Sequence, residues 1–61
     1  MDITLGKTTL MKVEPKTFMN KNYIDIRKYY KDDEEWKRTK KGVMVPIDKV
    51  SELIKYLQDL I

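Results

Sequence analysis

Phe18, Tyr23, Tyr29, Tyr30 and Trp36 lie interleaved with nine cations, Lys16, Lys21, Arg27, Lys28, Lys31, Lys37, Arg38, Lys40 and Lys41, within a 61-residue chain. Rings offer flat π faces to nucleobases of any identity, and ammonium and guanidinium groups neutralise phosphates, so this mixture suits a nucleic-acid single strand. Packing is the competing use. Aromatics in strands form cross-strand pairs, which leaves both roles open for Tyr30 and Trp36. Phe18 differs because its surroundings, TFMNKN, are polar, and a ring at such a loop tip would be exposed towards a partner. Arg27 has an alternative to phosphate in Asp25, two residues away. The cluster KRTKK before Gly42 reads either as a phosphate-ordering tract or as a solvated face.

Catalysis has little to work with. The chain has no histidine and no cysteine, so Thr8, Thr9, Thr17, Thr39 and Ser51 lack the imidazole base that would activate a hydroxyl. With Gly6 and Gly42 as the only glycines, no phosphate-cradling loop can be written. Asp32, Asp33, Glu34 and Glu35 lack the alternating spacing of a calcium loop and read as a solvated hairpin tip. No enzyme activity, metal or cofactor is expected. Charge points the same way as the rings: residues 1–42 hold 11 basic and 7 acidic side chains, against 2 and 3 in residues 43–61. The first two thirds therefore carry the positive field that attracts a polyanion.

Period-two patterning sets out the elements that must position these groups. Ile3 and Leu5 mark one strand, and Leu10 and Lys12 against Met11 and Val13 mark a second. In YIDIRKYY, Ile24 and Ile26 share one face while Tyr23, Asp25, Arg27 and Tyr29 share the other. Val43 and Val45 form a last strand closed by Pro46, which cannot donate to a ladder. Gly6, KTFMNKN, DDEE and RTKKG read as connections. After Pro46 the period changes: Val50, Leu53, Ile54, Leu57, Leu60 and Ile61 recur at three and four, the stripe of an amphipathic helix starting at Pro46 or Asp48. The expectation is one α+β domain over residues 1–61, a four-stranded antiparallel sheet followed by a C-terminal helix that covers one sheet face. A chain this short, without disulfide or zinc, has little core of its own, which favours a homodimer.

LGK, YIDIRKYY with its DDEE, and KKGV, taken in order, resemble the transcriptional coactivator family called positive cofactor 4, a relative of the Whirly proteins. The resemblance runs from Ile3 to about Leu57. It implies the same sheet-then-helix fold, a homodimer built largely through the helices, and channels that hold single-stranded DNA, or the strands of melted duplex, with little sequence preference. By position it places nucleic-acid contacts at Lys7, Phe18, Lys21, Arg27, Tyr30, Lys40 and Lys41, with Lys37 as a further candidate, and dimer contacts at Val50, Leu53, Ile54, Leu57 and Leu60. Tyr30 and Val50 stand where tryptophan is frequent in the family, and Glu14 and Pro15 where basic or polar residues are usual, in a hairpin about two residues longer.

The expected function is therefore sequence-tolerant single-strand binding by a dimer, coactivator-like, in transcription, replication or repair, with the transcription machinery as a partner class. RNA uses the same surface, and a protein-interaction module would use the same rings. No apolar run approaches the roughly 20 residues that span a bilayer, and no signal peptide begins the chain, so an intracellular place is expected: cytoplasm or nucleoid in a prokaryotic or viral setting, nucleus in a eukaryotic one. No Ser-rich or acidic tail precedes the domain, which suggests a minimal bacterial, archaeal or viral form, or an excised core.

Overall fold

A computed structural model describes residues 1–61. Four strands run in chain order as an antiparallel meander, β1 (Asp2–Thr4), β2 (Thr9–Phe18), β3 (Lys21–Asp32) and β4 (Glu35–Pro46), followed by a 3₁₀ turn (Ile47–Lys49) and helix α1 (Val50–Leu60). The fold class is as the patterning implies, with Leu5 just beyond the first strand.

Alternation along the strands sorts side chains onto two faces. Register aligns Val13 with Ile26 and Val43, Pro15 with Ile24 and Val45, and Ile3 with Met11, which makes one face apolar. The opposite face aligns Lys12 with Arg27 and Gly42, Glu14 with Asp25 and Met44, and Leu10 with Tyr29 and Arg38. This is the charged face.

Two connections read from the sequence are shorter than expected. KTFMNKN is not a loop: β2 runs to Phe18, β3 starts at Lys21, and Met19 and Asn20 alone make the turn, both at positive φ (50° and 62°). Such a two-residue turn has the backbone twist that matches a hairpin. Asp33 and Glu34 turn the next hairpin in the same way (φ 48° and 68°). RTKKG is no turn at all but part of the continuous β4. The register steps from Arg27–Gly42 to Tyr29–Arg38, so Thr39, Lys40 and Lys41 bulge opposite Lys28.

Helix α1 does not cover a face of its own sheet, contrary to the expectation from its stripe. Its main contacts are with the 3₁₀ turn, which in turn touches β3. Ile54, Leu57 and Leu60 stay about half or more exposed, and no residue of the helix is buried. An 11-residue helix is marginal in water without packing, so a stripe with no partner in its own chain calls for one outside it. The sheet needs one too. The molecule is 17 Å through its thinnest dimension, and only Leu10 and Asp25, both on the charged face, are buried. Its accessible surface is 5355 Å², whereas a folded monomer of this mass exposes about 4,200 Å². No helix is long and apolar enough to cross a membrane.

Candidate nucleic-acid interface

The charged face is organised around Arg27, one of the two cations at its centre. Its Nε and Nη2 donate to Asp25 Oδ2 and Oδ1 (3.5 and 3.3 Å), and its Nη1 donates to the Thr39 carbonyl (3.0 Å). The Asp25 pairing that the sequence allowed is therefore present. Arg38 adds a second cation to the same carboxylate, 3.8 Å from Oδ2, while remaining half exposed. Asp25 thus joins two guanidinium groups in one ion-paired cluster, the Arg27 plane. Three of the five N–H donors of Arg27 are engaged, which leaves two.

Thr39 holds the bulge that lets Arg27 reach across β4. Its Oγ1 donates to the Lys28 carbonyl (2.6 Å) and accepts from the Lys41 amide (3.2 Å), replacing ladder bonds that the extra residues remove. The bulge pushes Lys40 and Lys41 into solvent beside this plane. Gly42 makes room. A Cβ there would lie 2.8 Å from Arg27 Cζ and 2.9 Å from the Ile26 carbonyl oxygen, and the latter is backbone that cannot step aside. Gly42→Ala is accordingly expected to destabilise the fold by about 1–3 kcal/mol through overpacking. Thermal melting checks this; an unchanged midpoint would mean that Arg27 does not lie over β4.

Two further cations on this face have no carboxylate partner and rest on rings instead. Lys12 Nζ sits 5.0 Å from the Tyr29 ring centre, and Lys31 Nζ sits 5.9 Å from that of Trp36. From Lys12 through Arg27 and Arg38 to Lys31, positive charge and π surface alternate along the strands. Of the groups placed by resemblance, only Arg27, Lys40 and Lys41 gather here. Phe18, 55% exposed, faces Lys21 across the β2–β3 turn, at the far end of β3. There Lys21 also walls a shallow hollow of about 530 Å³ with Tyr23, Ile47 and Lys49. Tyr30 pairs with Lys37 on the opposite face, and Lys37 is held by Asp32 at 3.7 Å. Lys7 lies exposed in the bend between β1 and β2.

Sequence reading did not single out Lys12, Lys31 or Arg38 as members of one assembly. The available signal was parity: Lys12 alternates with the apolar residues of β2, and an insertion of two residues in β4 leaves alternation intact, so Arg38 returns to the Arg27 face.

Comparison with solved structures finds a PC4 homolog from Burkholderia pseudomallei in two crystal forms. The orthorhombic form superposes with a TM-score of 0.87 at 19% identity, covering 95% of this chain and 80% of that one. The tetragonal form gives 0.86 at 19% identity, covering 95% and 87%. At such identity the likeness speaks for the fold. Comparison with curated proteins gives no match. The sequence itself goes further, because residues 5–56, which include the Arg27 plane, the bulge and most of the helix, match the description Transcriptional Coactivator p15 (PC4), and the chain belongs to that family.

Proposed function

We propose that the chain binds single-stranded nucleic acid, DNA first, as a homodimer, without sequence preference and without catalysis, keeping melted strands apart in a coactivator-like role. The observation that carries this reading is the charged face itself, where unpaired Lys12 and Lys31 rest on rings beside the Arg27–Arg38 plane. Rings accept bases, cations accept phosphates, and family membership supports the same ligand. Lys40 and Lys41 contact the backbone at the bulge. Phe18 with Lys21 serves where the strand passes the β2–β3 hairpin end, and Lys7 extends the positive field, while Tyr30 and Lys37, on the opposite face, lie outside this path.

The dimer uses what remains. Val50, Leu53, Ile54, Leu57 and Leu60, together with the apolar sheet face, form the interface. The surface excess over a compact monomer, about 1,100 Å² per chain, matches the area that each partner of a stable dimer covers.

Fluorescence anisotropy of a labelled single strand of about 20 nucleotides, its duplex and the matching RNA, at two salt concentrations, tests the ligand. Expected are tight single-strand binding that exceeds duplex binding, and a steep salt dependence. Replacing Lys40 and Lys41 together with alanine should flatten the slope of log affinity against log salt by about 1.4, near 0.7 per lost phosphate contact. No binding at low salt would leave the rings as a protein-docking patch. Tighter RNA binding would reassign the ligand.

A further inference from the structure

The β3–β4 hairpin carries a large ring that takes no part in the contacts of Arg27. Trp36 lies directly opposite Lys31 one step from the turn and is 40% exposed. The Lys31 ammonium lies 5.9 Å from its ring centre, and Lys31 has no acidic partner. At 40% exposure this large ring keeps much of its π surface open at the hairpin end.

The hairpin tip is acidic overall, which would repel a polyanion unless the acids were kept apart from the ring. Alternation does that. Asp32 and Glu35 face each other on the opposite side, where Asp32 is engaged by Lys37 at 3.7 Å, while Asp33 and Glu34 form the turn. On the Trp36 side the neighbours along the strands are Lys31, Arg38 and Tyr29. The ring therefore ends the row of cations and rings that starts at Lys12.

We infer that Trp36 and Lys31 form an outer subsite for one nucleotide of the bound single strand, the indole stacking on the base and the ammonium taking the adjacent phosphate. The inference rests on the single-strand reading above and extends its path to the hairpin end. Stacking on indole is indifferent to base identity, so the subsite adds affinity without specificity. The acids behind it set a boundary, because a strand running past Trp36 meets negative charge.

Trp36 is the only tryptophan, so its emission reports its own contact. The full-length protein is titrated with oligothymidylate of about 20 nucleotides while anisotropy of the labelled strand is followed in parallel. Emission is expected to change along the same isotherm as anisotropy, and Trp36→Leu, which keeps apolar bulk but removes the indole, is expected to weaken binding about tenfold, the scale of one stacked base. Binding by anisotropy with unchanged emission, together with unaltered affinity in Trp36→Leu, overturns the subsite and leaves the single-strand reading standing. Absence of binding in anisotropy overturns both.

Discussion

Leu57→Asp is expected to convert the proposed dimer into an unfolded chain rather than into a folded monomer. The protomer alone buries only Leu10 and Asp25, so it has no core to fall back on when its partner leaves. A symmetric interface loses two copies of the residue at once, and each buried leucine is worth about 2–5 kcal/mol. A domain of this length has about 3–9 kcal/mol in total. Sedimentation equilibrium should give twice the 7.4 kDa chain mass for the parent and the single mass for the variant, with strand and helix signals lost together in circular dichroism. The parent's thermal midpoint should also rise with protein concentration, because association and folding are one equilibrium. A variant that stays dimeric with the parent's midpoint would remove α1 from the interface.

Arg27→Ala is expected to be the most damaging substitution on the charged face. It strands the Asp25 carboxylate, whose side chain is 11% exposed, with only Arg38 at 3.8 Å, and it frees the Thr39 carbonyl that anchors the bulge. Breaking a pair this buried costs about 3 kcal/mol, which in a domain of this size lowers the melting midpoint by roughly 10–25 °C. Affinity for single strands should fall as well. The double variant Arg27→Ala with Asp25→Asn separates the two effects, since it removes the orphaned charge together with its partner. Stability should largely return while affinity does not, because the two free N–H donors proposed to meet phosphate are still missing. Recovery of both would make Arg27 a positioning residue alone.

Much of this arrangement was legible in the sequence because alternation is a local property. YIDIRKYY announced its two faces, Val43 and Val45 announced theirs, and Pro46 marked where the ladder stops. What misled was chemistry shared by turns and irregular strands. RTKKG has the polar, glycine-ended look of a loop, yet its threonine replaces lost ladder bonds and its glycine clears space for a guanidinium, so it remains strand. KTFMNKN looked like a long connection because Met19 is an unusual residue at positive φ, and only Asn20 carried the ordinary signal of a tight turn. The helix stripe was read correctly as an apolar surface, but a stripe says that something must cover it and not which chain supplies the cover. Among site residues, Arg27 could be placed with Asp25 from spacing alone. Its neighbours Lys12 and Arg38 come from other strands, and register is not written in any single segment.

Pro15 stands in β2 beyond the reach of the first strand, which pairs with Leu10–Lys12 and bonds Val13 through Met1, so the strand from Glu14 onward is a free edge. There Pro15 has no N–H to offer, flanked by Glu14 and Lys16. The other edge is β4, bent by its bulge and lined by Lys37, Arg38, Lys40 and Lys41. An incoming strand meets a missing donor on one side and a kinked, cationic rail on the other. A chain with this much open apolar surface is at risk of adding copies edge to edge without end, as in a fibril; blunting both edges leaves that stickiness to the proposed dimer contact, which closes on itself.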